Sequence, residues 1–132
     1  MEPMELAGFA TRFLDAWNSQ VVERVVACYT EDVRYRDPYL REVIVGSDAL
    51  RRYLRKLFSR WAMHWTLRDG YPLAGQEGAA ILWHATFRYL EGTEAVDADG
   101  MDLVLLRGGK IARNDVFFDR TVLLQLRPPE ER

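Results

Sequence analysis

The sequence holds one cysteine and two histidines in 132 residues. A lone thiol, Cys28, excludes an internal disulfide framework, and so few thiol and imidazole groups offer no metal-ligand spacing. No apolar run approaches the ~20 residues that a membrane-spanning helix needs, and no early apolar run flanked by basic residues reads as a signal peptide. Charge of either sign is not in excess: the net value of −2 gives no global case for nucleic acid or an anionic membrane surface. Linkers, repeats and low-complexity segments are also missing. The expectation is one cytoplasmic domain over residues 1–132, with no metal, no cofactor, no nucleic-acid partner and no membrane.

What is present is globular. Hydrophobic residues make up 48% of the chain and charged residues 29%, enough for a substantial core. Leu6, Phe9, Ala10, Phe13, Leu14 and Trp17 recur at helical spacing, which predicts a helix over 4–18. A shorter one is expected over 21–29, with Val22, Val25, Val26 and Tyr29 on one side. Residues 33–37 alternate apolar and charged groups, the period of a half-buried strand, and Pro38 removes a backbone donor and should stop it. Ser47 is expected to cap a third helix carrying Leu50, Tyr53, Leu54, Leu57, Phe58 and Trp61 on its apolar face. Strands are then expected over 64–73, 80–90, 101–107 and 111–118. The acidic run at 97–100 reads as turn chemistry, and Gly108-Gly109-Lys110 as a tight hairpin.

Helices first and antiparallel strands afterwards is an α+β arrangement. This order resembles the nuclear transport factor 2-like superfamily, and more narrowly its SnoaL-like and ketosteroid-isomerase-like branch. The resemblance rests on CYTEDVRYRDP at 28–38, VGSDALRRYLRKLF at 45–58 and GGKIARNDVFFDRTVLLQL at 108–126. It implies a cone-shaped curved antiparallel sheet wrapped around three N-terminal helices, with an internal pocket. It also implies a homodimer, and the outer sheet face, which carries apolar groups that need cover, is the expected contact.

Two acidic residues stand out. Asp37, ahead of Pro38 at a strand end, is placed as an acid or base if a pocket lies beside it, and equally as an ordinary turn former. Asp102 shares a strand face with Val104 and Leu106, where a carboxyl must be protonated or hydrogen-bonded. By resemblance to the ketosteroid-isomerase-like enzymes, Asp37 matches the general base and Asp102 the neutral carboxyl that steadies an oxyanion. The tyrosine that completes that oxyanion site falls on Phe13 here, and losing one such donor costs ~10²–10³ in rate. His84 is a third candidate, able to shuttle a proton if its strand face lines the pocket. Phe13, Trp17, Tyr29, Tyr35, Trp61 and Phe118 are candidate walls for a small apolar or polyketide-like ligand, with Asn114 orienting it. The expected activity is cofactor-independent acid–base chemistry of the isomerase, cyclase or lyase type on an apolar cyclic or carbonyl substrate. The alternative is a ligand-binding or interaction module of the same fold without turnover.

Overall fold

The computed structural model describes residues 1–131. It has three α-helices, α1 (Pro3–Ser19), α2 (Val22–Val26) and α3 (Ser47–Arg60). Six strands follow and interleave with them: β1 (Tyr29–Arg36), β2 (Ile44–Val45), β3 (Trp61–Pro72), β4 (Gly78–Tyr89), β5 (Val96–Arg107) and β6 (Lys110–Phe117). They form one curved sheet in the order β2-β1-β6-β5-β4-β3. Every neighbouring pair is antiparallel except β1 with β6. The architecture is α+β, with the helices packed on one face of the sheet. No helix among the described residues is long and apolar enough to cross a membrane.

The stripe expected on α1 is the face it buries: Leu6, Ala10, Phe13, Leu14 and Trp17 all lie in the core. Removing the leucine and phenylalanine side chains from water stabilises the fold by roughly 1.5–3 kcal/mol each. The helix ends at Gln20, whose backbone is left-handed (φ 51°) and whose N–H donates to Trp17 O. That geometry lets two side-chain amides stand in for a missing neighbour strand along the β3 edge. Asn18 donates to Trp65 O (2.9 Å) and accepts from Trp65 N–H (2.7 Å), while Gln20 donates to Trp61 O (2.7 Å) and accepts from Met63 N–H (2.6 Å). Open edge groups are thereby paired, and α1 is fixed against the sheet.

Several boundaries differ from expectation for identifiable reasons. The second helix stops at Val26, and Tyr29 instead opens β1, where it pairs with Ile111 of β6. Sheet pairing overrides a helical pattern that its β-branched valines already weaken. Gly46, not Ser47, caps α3, because the turn from β2 requires a positive φ (93°), which glycine adopts without strain. Trp61 begins β3 rather than ending α3. The run 97–100 is strand, not turn: Asp97 and Asp99 face outward beside His84, and Gly100 opposes Trp83 in the β4–β5 register. The Gly108-Gly109 hairpin is as expected, both residues having positive φ (61° and 80°).

Pairing across β4, β5 and β6 sorts the sheet into two faces. Ile81, Asp102 and Val116 are direct partners, as are Ala79, Val104 and Asn114, and their face packs on the helices. The opposite face carries Leu82, Met101 and Phe117 in one cross-strand row, with Phe117 46% exposed.

Candidate functional site

Between the helices and the inner sheet face lies a small cavity of about 30 Å³. A space of that size holds about one or two waters. Its walls come from α1 (Trp17), β1 (Tyr35), α3 (Tyr53, Leu57), β3 (Met63, Trp65), β4 (Trp83, Phe87) and the end of β6 with the residue beyond it (Val116, Phe118). The rings form one interlocked set. Trp17 stacks on Tyr35 at 5.9 Å and meets Trp65 edge-on at 5.6 Å, and Phe118 stacks on Phe87 at 5.3 Å.

The single carboxylate in this wall is Asp37. Pro38 ends β1 at Arg36, as the sequence requires, and Leu40 N–H closes the turn onto Asp37 O (3.1 Å). The carboxylate accepts at Oδ2 from the hydroxyls of Tyr35 (2.8 Å) and Tyr53 (2.5 Å), and at Oδ1 from the Tyr39 N–H (2.9 Å). Three elements therefore converge on one acid. Burial and then the Asp37 charge push the Tyr35 and Tyr53 hydroxyls up, so both keep their protons and remain donors. Oδ1 receives one donor and Oδ2 two, which leaves Oδ1 the freer atom.

Asp102 lies behind this wall rather than in it. It is 6% exposed, pairs across the sheet with Val116, and is not among the cavity residues. Burial raises its carboxyl from 3.8 to about 7; Asn114 and Trp83 pull it down and the Asp37 charge pushes it up. Neither Asn114 nor Trp83 reaches Oδ1 with hydrogen-bond geometry, and that atom and Trp83 Nε1 are both buried without a partner. Asn114 is held in turn: Trp17 Nε1 donates to Tyr29 Oη (3.2 Å), and Tyr29 donates to Asn114 Oδ1 (2.7 Å). This directed chain ties a cavity wall to the layer that holds Asp102.

Of the residues singled out in the sequence, Asp37, Trp17, Tyr35 and Phe118 meet at the cavity, while Tyr29, Asn114, Asp102 and Phe13 form the layer behind it. Phe13 stacks on Phe9 at 6.0 Å and puts no polar group near the cavity. Trp61 packs on Tyr89 (4.1 Å) beside Tyr39, outside the wall. The condition set for His84 fails. Its parity puts it on the outer face, 43% exposed, with Nδ1 2.8 Å from Asp99, which holds the imidazole above its ordinary value. Tyr39 and Met63 were missed altogether. Tyr39 follows Asp37 by two residues, and that proximity to a candidate acid was the available signal; its hydroxyl is buried without a partner. Among the described residues no three His, Cys, Asp or Glu side chains form a metal-holding group.

A curved, mainly antiparallel sheet packed against N-terminal helices is the fold of the nuclear transport factor 2-like class. The profile of the SnoaL-like domain family matches residues 10–114, and the chain belongs to that family. Among solved structures it is similar to a candidate isomerase from Bacillus subtilis (15% identity, 95% of this chain and 94% of that one, TM-score 0.81). It is also similar to a protein of ketosteroid isomerase-like fold from Catenulispora acidiphila in complex with trimethylamine (17%, 94% and 95%, TM-score 0.78). A third is a candidate polyketide cyclase from Pseudomonas putida KT2440 (16%, 89% and 93%, TM-score 0.77). At these identities the likeness is one of fold. No curated protein matches the chain.

Proposed function

We propose that the chain is a cofactor-independent acid–base enzyme of the isomerase, cyclase or lyase type, acting on an apolar cyclic or carbonyl substrate in the cavity beside Asp37. The observation that carries this reading is the carboxylate itself, held by three donors in a wall otherwise made of rings and aliphatic groups. A fixed acceptor facing an apolar space is what removal of a carbon-bound proton needs. Asp37 Oδ1 takes the proton and returns it elsewhere on the same molecule. Asp102, behind the wall, and His84, on the outer sheet face, do not line the cavity and are not part of this step. The Catenulispora protein in complex with trimethylamine supports binding of a small molecule by this fold.

The test is deuterium incorporation from heavy water into small cyclic ketones such as cyclopentanone and cyclohexenone, followed by proton NMR. Wild-type protein is expected to accelerate exchange next to the carbonyl, and Asp37→Asn to lower that acceleration by about 10²-fold or more while the far-ultraviolet circular dichroism shows the fold retained. Ketones that raise the midpoint yet show no exchange would leave a binding module without turnover.

We also propose that two copies associate through the outer sheet face, where the Leu82, Met101 and Phe117 row meets water in the single chain. Sedimentation equilibrium is expected to give twice the 15.4 kDa chain mass. Phe117→Glu should return it to the monomer value, because a charge at the centre of an apolar contact is left unpaired. A wild-type monomer at micromolar concentration would overturn this assembly.

A further inference from the structure

Eight of the twelve residues around the cavity are aromatic, and the one charged group among them is Asp37. No lysine, arginine or histidine lines it. Of the nearby guanidiniums, Arg36 pairs with Asp115 (3.4 Å), and Arg120 donates to Pro38 O (2.9 Å) while lying over the Tyr39 ring (6.0 Å). A carboxylate set among aromatic rings, with no cationic side chain in the wall, favours a positively charged occupant. Two unpartnered donors belong to wall residues, the Tyr39 hydroxyl and Trp83 Nε1, the latter beside Asp102. The Tyr35 and Tyr53 hydroxyls are committed to Asp37, Phe13 has no hydroxyl, and Asp102 sits behind the wall. The remaining unpartnered hydroxyl, on Tyr39, accepts as readily as it donates.

We propose that the group this cavity receives is a small organic cation, an alkylammonium or iminium head, with its carbon substituents against the rings and its charge against Asp37. The assignment rests on the reading that the small molecule sits beside Asp37, and it narrows the substrate class. A cationic substrate also removes the need for an oxyanion donor. When Asp37 Oδ1 takes a proton from the carbon next to an iminium, the C–H electron pair forms the new carbon–carbon double bond. The C=N π pair moves onto nitrogen, and a neutral enamine results. No negative charge develops on the substrate, so Phe13 costs nothing. A space of about 30 Å³ must open to admit such a head, and Leu57 and Met63 are the flexible parts of the wall that can make way.

Isothermal titration with choline chloride and with its neutral isostere 3,3-dimethylbutan-1-ol, at constant ionic strength, tests the charge preference on the wild-type protein directly. Choline is expected to bind about tenfold or more tightly than the isostere. Asp37→Asn should bring the two within about threefold of each other, and Tyr39→Phe, which leaves Asp37 and its donors in place, should keep the preference for choline. Equal or tighter binding of the neutral alcohol to wild type, binding of neither at millimolar concentration, or a preference that survives in Asp37→Asn would each overturn the proposal. The ketone exchange experiment separates this from the broader reading. Exchange without a choline preference leaves the acid–base function standing and removes the cation. A choline preference without ketone exchange leaves the cation standing and removes neutral carbonyl compounds as substrates.

Discussion

Asp102→Asn is expected to stabilise the protein at pH 8 and to make little difference at pH 4. The carboxyl at position 102 ionises at about 7 in the folded chain against an ordinary 3.8, because burial penalises its charged form. A raised pKa in an acid means that the folded state holds the proton more tightly than the unfolded one. Its contribution is therefore complete below about pH 4 and is lost as pH rises from there through 7. Above 7 the loss levels off at about 4 kcal/mol, since each tenfold gain in proton affinity on folding is worth ~1.4 kcal/mol. Asparagine has nearly the same shape, stays neutral throughout and escapes that loss. Urea unfolding of both proteins at pH 4.5, 6 and 8 measures it: the stability difference should widen steadily across the series. A difference that stays flat would mean that Asp102 ionises as an exposed aspartate does, and its placement among Ile81, Val116 and Asn114 would be wrong.

The second large effect is expected at Gly100. Its backbone lies directly opposite Trp83, and a β-carbon there would fall 2.5 Å from the Trp83 ring, 2.6 Å from the Phe117 carbonyl and 2.9 Å from the Phe118 β-carbon. One of those three atoms is backbone in the adjacent strand, so relief requires β6 to move. Gly100→Ala is expected to cost roughly 3 kcal/mol, the upper part of the range for overpacking a close-packed interior. The damage should also reach the site, because Trp83 and Phe118 are cavity walls. Near-ultraviolet circular dichroism should lose intensity from this aromatic cluster even where the variant remains folded. Wild-type stability with an unchanged aromatic spectrum would show that β5 and β6 do not approach as closely as they do here.

Gly100 also illustrates why part of the fold was misread. Glycine beside aspartates is turn chemistry by composition, yet here it serves a close approach between a strand and an indole on its neighbour. Nothing local distinguishes the two uses. Ser47 repeats the lesson at the start of α3, where the capping residue is chosen by the backbone angle at Gly46 rather than by a hydroxyl. Long periodic segments were read correctly because their signal is carried by many residues at once. The α1 stripe from Leu6 to Trp17 and the alternation from Ile81 to Phe87 each tolerate an error at any one position.

The candidate site was legible only in part, for a related reason. Asp37 announced itself through Pro38, a covalent constraint that acts on its immediate neighbour whatever the rest of the chain does. His84 and Trp83 are adjacent in sequence and lie on opposite faces of β4, and alternation says that they differ without saying which one is inside. That choice was made by pairing with β5, which sets Trp83 against Gly100 and His84 against Asp99. Likewise Tyr35, Tyr39 and Tyr53 come from a strand, a loop and a helix, and their meeting at Asp37 depends on how those elements pack. By itself the sequence determined an α+β chain of three helices and a mainly antiparallel sheet, with an acid at the end of the first strand, since periodicity and proline act over short range. The tertiary structure decided which side chains enclose the cavity and which carboxyl stands behind its wall, because strand register and packing against the helices join residues that no local pattern connects.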